Sequence, residues 1–248
     1  MTALSVNLNK VAMLRNQRDL PYPSVVEFAR ISIAAGAHGI TVHPRPDERH
    51  VRKSDVPELS AMLRTDHPNI EYNIEGYPTE DFLELCESVK PDQVTLVPDA
   101  PDQRTSDHGW IFAETSEFLR PIIARLKAGG MRVSVFVDAE PGTSAGAKAV
   151  GADRIEIYTE PFADAFGTAN QAKALADAVT TATEARELGL GVNAGHDLSL
   201  DNLSTLIRAI PWTLEVSIGH AITADALKIG FTSAVKAYLV ELEMKRAA

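Results

Sequence analysis

Eight short β-rich runs alternate with longer helical patterns along this chain, and that alternation limits the fold more than any other feature. The runs are LSVNLN (residues 4–9), GITVH (39–43), NIEYNI (69–74), QVTLV (93–97), MRVSVFVD (131–138), RIEIYT (154–159), LGVNA (190–194) and TLEVSI (213–218). Each is followed by a helix-like stretch. The clearest covers residues 169–188, where Ala172, Leu175, Ala176, Val179 and Ala182 recur three or four apart. Glycines punctuate the helix-to-strand joints at Gly36, Gly129, Gly130, Gly151 and Gly189, and AGAHGI and VGADRI repeat one turn. Connections that contain a helix force parallel pairing. Eight such units in 248 residues match a closed (β/α)8 TIM barrel. An open doubly wound sheet is the rival, but no GxGxxG follows the first run. No Pro/Gly/Ser linker divides the chain, so residues 1–248 are expected to form one TIM-barrel domain.

Composition then removes whole classes of function. With 24 basic and 34 acidic residues the net charge is −10, and basic runs are absent. Such a surface repels nucleic acid and anionic lipid, so any bound anion must be caught locally. One cysteine, Cys86, allows no disulfide within the chain and fits a reducing cytosol. The first ten residues lack the features of a signal peptide, and no apolar run approaches the ~20 residues of a membrane span. A cytoplasmic protein with no membrane or nucleic-acid partner is expected.

In a parallel barrel, chemistry gathers at the C-terminal ends of the strands. Asn7, Asn9 and Lys10 close the first run, and His43 and Arg45 the second. The third carries Glu71, Asn73 and Glu75, Thr105 lies beyond the fourth, and Asp138 ends the fifth. Glu156 and Thr159 belong to the sixth; Asn193 and His196 follow from the seventh, and Gly219 and His220 from the eighth. Several have structural readings: Asn7 and Asn73 as satisfied amides, Glu71 and Glu156 as ion-pair partners, Asp138 as a helix cap. The turn HPRPDERH is harder to explain structurally, because it concentrates His43, Arg45, Arg49 and His50 in eight residues. IGHAI places a glycine and unbonded backbone N–H groups at a helix start, which favours an anion, and NAGHDLSLDNL follows the same logic. Arg18, Arg45 and His50 offer cationic donors for a second anion. The seven histidines show no metal spacing, and no metal is expected. The insert at residues 98–110 is the lid candidate.

Taken in order, VNLNKVAMLRNQR, GITVHPRPDERH, the NIE of residues 69–71, LVP, IEIYT, VNAGH and IGHAI resemble the pyridoxine 5′-phosphate synthase family along nearly the whole chain. The resemblance implies a transferase-class barrel in vitamin B6 biosynthesis. It condenses 1-deoxy-D-xylulose 5-phosphate with 3-amino-2-oxopropyl phosphate, giving pyridoxine 5′-phosphate, phosphate and water. It implies no cofactor or metal, and a homo-octamer built as a tetramer of dimers. By position it makes His43, Glu71 and His196 the acid–base residues and Glu156 the transition-state stabiliser. Asn7, Arg18, Asp197, Gly219 and His220 fall at the amino ketone phosphate site. Asn9, Lys10, Arg45, His50 and Thr105 fall at the deoxyxylulose phosphate site. Two departures stand out: Asn9-Lys10 where many members have Asp-His, and Asp197 where a glycine usually follows the active-site histidine. Asp197 is expected to point outward or to cap the following helix.

Apolar surroundings predict a raised pKa for Glu71 and hence a role as proton abstractor. His43 is the expected opening base, and His196 returns a proton to a leaving group. A phosphosugar isomerase or epimerase is the alternative enzyme. A catalytically silent phosphate sensor is the alternative outside enzymes, but it would need no acid–base groups on separate strands.

Overall fold

The computed structural model describes residues 1–99, 103 and 105–243. Its strands are β1 (Ala3–Asn7), β2 (Gly39–Val42), β3 (Glu71–Gly76), β4 (Gln93–Leu96), β5 (Arg132–Val137), β6 (Arg154–Tyr158), β7 (Gly191–Gly195) and β8 (Glu215–Ile218). Neighbours in sequence pair in parallel all the way round, and β8 closes on β1 through Ala3↔Glu215 to Val6↔Ile218. The chain is therefore a closed eight-stranded parallel barrel.

The helices are α1 (Asn9–Arg15), α2 (Val25–Ala35), α3 (Asp55–Asp66), α4 (Glu80–Val89), α5 (Phe112–Ala128), α6 (Thr143–Ala149), α7 (Glu160–Ala165), α8 (Gln171–Glu187), α9 (Leu203–Ala209), α10 (His220–Ile229) and α11 (Phe231–Glu243). Three of them exceed one helix per strand. α1, α7 and α10 each begin within two residues of a strand's C-terminal end, so all three crowd the same mouth. The first strand is shorter than its apolar run suggested. Asn7 Oδ1 accepts the backbone N–H of Asn9 at 3.0 Å, an Asx turn that ends β1 and starts α1. Gly36 and Gly151 close α2 and α6 at φ +110° and +90°, as the repeated turn predicted.

The outer face of the strands is aliphatic and sealed by helices: Val6, Ile40, Ile74, Val94, Val135, Ile155 and Val216 are all fully buried. The inner face is polar and layered. At mid-height Ser5, Thr41, Asn73 and Thr95 form a hydrogen-bonded chain across β1 to β4, with contacts of 2.6, 3.3 and 3.0 Å. At the N-terminal end Arg132 donates to Gln93 at 2.9 Å and pairs with Glu71, while Arg154 reaches Asn193 at 3.1 Å and Glu215 at 3.5 Å. Charge thus plugs one end of the barrel and opens into a cavity at the other.

Glu71 belongs to that plug, which corrects the expectation that it serves at the mouth. Glu71 and Glu75 are four residues apart on one strand, hence on the same inner face but ~13 Å apart in height. Glu71 also reverses its expected electrostatics. Burial would raise its carboxyl, but the hydrogen bond with Glu215 and the charge of Arg132 prevail and hold it below the usual range. Glu215 goes the other way, pushed well up by burial and by Glu71.

Candidate active site

The mouth holds a cavity of about 380 Å³. Asn7, Asn9, Lys10, His43, Arg45, His50, Thr105, Glu156, His196, Asp197, Gly219 and His220 all line it. Of the residues given a site role by the resemblance, Glu71 and Arg18 do not, nor do the strand-end candidates Asn73, Asp138, Thr159 and Asn193. Arg18 is exposed in the turn after α1. Glu75, Ser217 and Phe136 also line it. Glu75 could have been found from sequence: the triplet Asn-Ile-Glu occurs twice, at residues 69–71 and 73–75, and the strand-end rule favours the second copy.

Glu75 is the best-held carboxylate of the site. Asn7 Nδ2 and Ser217 Oγ donate to its two oxygens, each at 3.3 Å, and His43 Nδ1 lies 4.0 Å away. Burial, its largest influence, lifts the Glu75 carboxyl to about 7 against the opposing hydrogen bond from Ser217. Glu156 reaches the same floor from β6. Burial and then the charge of Glu75 push it to about 8, and its Oε2 has no hydrogen-bond partner among the described residues. Gly195 makes room for it, since a Cβ there would stand 2.3 Å from Glu156 Oε1. His43 is driven well below the ordinary imidazole range by burial, then by Arg45 and His50, so it is neutral near pH 7. The first departure of the sequence finds a use here: Asn9 Oδ1 accepts the backbone N–H of His43 at 2.9 Å, anchoring the end of β2 to α1.

His50 is not a cation. Burial and the charges of Arg45 and Lys10 lower it to about 4. Its Nδ1 accepts the N–H of Val51 at 3.0 Å, so the neutral ring carries its proton on Nε2 and acts as a donor. The residues that hold this turn escaped the sequence reading. Arg15 on α1 grips Asp55 with bonds of 2.6 and 2.9 Å and donates to the carbonyl of His50 at 3.2 Å; Asn16 donates to the same oxygen at 2.7 Å. Arg45 is buried and committed, paired with Asp99 and donating to the carbonyl of Gln103 at 3.1 Å. Asp99 also accepts from Ser106 at 2.7 Å, so the turn after β2 is tied to the insert after β4. Within that insert Ala100, Pro101, Asp102 and Arg104 lie outside the described residues, and the lid expectation falls partly on them. Asp138 caps no helix; its Oδ1 accepts the N–H of Gly109 at 2.9 Å, at the far end of the insert.

At the β8 edge of the cavity, Gly219 precedes the ten-residue α10, whose first residue is His220. A Cβ at Gly219 would meet Asn7 at 3.0 Å, so glycine lets β8 and β1 close beside the helix start. The first-turn N–H groups of α10 and its positive dipole end favour an anion at that edge. The analogous reading of NAGHDLSLDNL does not hold. His196 and Asp197 take left-handed φ values of +82° and +55°, and α9 begins only at Leu203. Asp197 neither points away nor caps α9. It lines the cavity, its Oδ2 3.7 Å from His196 Nδ1. The His196 ring packs against Tyr158 and Phe136 at centroid distances of 5.3 and 5.8 Å.

The arrangement supplies a neutral imidazole, two buried carboxyl groups that hold protons near neutrality, a second imidazole, and donors for anions at two edges. Known proteins with the same sequence pattern point in one direction. A family model described as pyridoxal phosphate biosynthesis protein PdxJ matches residues 4–244. The pyridoxine 5′-phosphate synthase of Allorhizobium ampelinum is 56% identical over 238 residues, covering 95% of each chain. That of Chelativorans sp. is 56% identical over 243 residues, covering 97% of this chain and 98% of its own. That of Brucella anthropi is 54% identical over 240 residues, covering 96% and 98%. Among solved structures, thiamine phosphate pyrophosphorylase from Pyrococcus furiosus superposes with a TM-score of 0.61 at 14% identity, covering 99% of this chain and 97% of its own. Phosphoribosyl anthranilate isomerase from Thermotoga maritima does so with a TM-score of 0.63 at 12% identity, covering 98% and 100%. At such identities these two share the barrel alone.

Proposed function

The chain belongs to the pyridoxal phosphate biosynthesis protein PdxJ family, and from that premise we propose that its barrel mouth is a pyridoxine 5′-phosphate synthase site. The substrates are 1-deoxy-D-xylulose 5-phosphate and 3-amino-2-oxopropyl phosphate, and the products are pyridoxine 5′-phosphate, phosphate and water. One observation carries the proposal: His43, Glu75, Glu156 and His196, from the ends of four separate strands, all line one cavity that anion donors also line. An isomerase needs one phosphate clamp and one acid–base pair. A condensation with several proton transfers and two leaving groups needs this larger set.

In this reading the amino ketone phosphate sits at the start of α10, on the N–H groups beyond Gly219 and His220, next to Asn7. The deoxyxylulose phosphate sits apart from it, on the Nε2–H of His50, Thr105 and Lys10. Lys10 has no ion-pair partner among the described residues, so its ammonium supplies the charge that neutral His50 does not. Arg45 contributes at fixed geometry while held by Asp99. Gripping both phosphates brings amine and ketone together, which is the larger part of the catalysis. His43, kept neutral by burial, takes the first proton. Glu75, near half-ionised at pH 7, abstracts protons from the enolisable intermediates, the role expected of Glu71. Glu156 is mostly protonated at pH 7, and its free Oε2 stabilises developing negative charge by donating a hydrogen bond. His196 delivers the proton to departing water or phosphate. Each general acid or base is worth ~10²–10⁴ in rate.

We extend the reading to a cytoplasmic homo-octamer arranged as a tetramer of dimers. Exposed Leu14, Tyr22, Leu227 and Ile229 support burial against further copies. Light scattering should return eight times 26.8 kDa. No helix among the described residues is long and apolar enough to cross a membrane.

The deciding assay supplies the two substrates together and separately. Pyridoxine 5′-phosphate should form only with both. Conversion of either ketone alone to an isomer would overturn the proposal in favour of the isomerase.

A further inference from the structure

Asp197 occupies a backbone conformation that suits glycine, directly after another left-handed residue, His196. Two successive side-chain-bearing residues in that region are strained and persist only where their surroundings hold them. The holding contacts are on the backbone. Thr159 Oγ1 donates to the carbonyls of Gly195 and His196 at 2.7 and 2.5 Å, and Asn202 Nδ2 donates to the carbonyl of Asp197 at 3.1 Å. None of them needs the Asp197 side chain. The cap position it was expected to fill is taken by Asn202, whose Oδ1 accepts the N–H of Ser199 at 2.9 Å.

What the side chain does meet is His196. Its Oδ2 is 3.7 Å from Nδ1, which is Coulomb contact rather than a hydrogen bond. Asp197 is the one carboxylate within 4.0 Å of that ring among the described residues. The ring itself packs against Phe136 and Tyr158, at centroid distances of 5.8 and 5.3 Å. Nε2 has no partner among the described residues. Other ionisable groups face the pair: Glu156 and Tyr158 from β6, Glu160 from α7 and His43 from the end of β2, with His220 and Lys10 on the far side of Asp197. Polar atoms of Glu160, His196 and Asp197 lie within 4.8 Å of one another, so Glu160 is the competing carboxylate.

We propose that Asp197 is a positioning residue: facing Nδ1, its carboxylate fixes the ring proton there and leaves Nε2 free to take a proton from one intermediate and return it to the departing water or phosphate. The partner of one imidazole nitrogen decides the state of the other. This rests on the reading of His196 as an acid–base group. The Asp197 side chain is 44% exposed, so solvent screens the pair and its effect is limited to about fivefold.

The test uses the full chain with Asp197→Gly, whose φ glycine accepts without strain, and Asp197→Asn, which keeps the shape and drops the charge. Long-range proton–nitrogen NMR of the histidine rings should find the wild-type His196 proton on Nδ1. In both variants it should move toward Nε2, whereas Glu160→Gln should leave it in place. The kcat for pyridoxine 5′-phosphate formation should fall about fivefold in both variants, with KM for either substrate unchanged. An unaltered His196 tautomer in Asp197→Asn, or a change confined to KM, would refute the positioning role. The NMR result does not depend on turnover, so failure of the condensation itself would appear separately, in the wild-type assay.

Discussion

Two glutamates with the same tripeptide context carry opposite duties, and only their height on β3 separates them. Glu71 is tied to Arg132 and Glu215 in the plug, while Glu75 is held by Asn7 and Ser217 at the mouth. Glu75→Gln is therefore expected to lower kcat by at least ~10². Glu71→Gln should leave kcat within a few fold and instead lower the melting temperature, since it leaves Arg132 short of its partner. Steady-state kinetics and thermal unfolding on the two variants decide this, and the reverse pattern would sink the assignment. A second case is Gly195. An added methyl would contact Glu156 Oε1 at 2.3 Å, so Gly195→Ala should displace that carboxyl and cost activity out of proportion to its size. Most of the cavity lining was legible residue by residue, because strand ends in a parallel barrel converge on one mouth. The step that failed was the choice between two Asn-Ile-Glu triplets. The tripeptide carries no information about height along a strand, whereas position relative to the strand's end does.

The alternation of apolar runs with helical stretches identified all eight strands, because each strand turns a fully buried aliphatic face to the helices that cover it. The 17-residue α8 matched its expected span to within two residues at each end. The helices α1 and α7 were not separable in advance, and α10 was foreseen only as the helix start at IGHAI. Each starts within two residues of a strand end, and Asn9 and His220, which begin α1 and α10, line the cavity rather than an apolar stripe. α1 shows what such an element does. Arg15 and Asp55 form a buried pair at 6% exposure each, and Arg15 with Asn16 holds the carbonyl of His50. Arg15→Met strands a buried carboxylate, so it should destabilise by ~3–5 kcal/mol and raise KM for the deoxyxylulose phosphate more than for the amino ketone. The double variant Arg15→Met with Asp55→Leu should recover much of the stability but not the KM. Denaturant unfolding with paired KM measurements checks both statements, and recovery of KM in the double variant would argue against α1 as the support of the phosphate turn.

At the scale of the molecule, the buried ionisable groups set an opposed pH dependence of folding. Glu75 and Glu156 keep their protons in the folded chain to about 7 and about 8, while an unfolded glutamate loses its proton near 4.5. Between those values the native state binds more protons than the unfolded state, so these two groups make stability fall as pH rises. His43 and His50 act in the opposite sense. Both are lowered from 6.5, His50 to about 4, so the unfolded chain takes up their protons first and stability falls as pH drops below 6.5. The two effects leave a stability maximum at mildly acidic to neutral pH, with a decline above it that belongs to the carboxyl pair. Glu156→Gln removes one of the two acids while keeping the shape of its neutral form. At pH 8.5 the variant should be the more stable protein, by an amount on the order of a few kcal/mol. Near pH 5 the gap should shrink sharply, because Glu156 is then protonated in the folded state and only partly ionised in the unfolded one. Melting curves across that range give the answer. A gap that stays constant with pH would mean the gain comes from packing, and the proton on Glu156 that the mechanism depends on would lose its support. Catalysis should follow the same titrations: kcat should rise as the carboxyl pair gives up its first proton near 7 and fall as it gives up its second near 8, with the alkaline limb absent in Glu156→Gln.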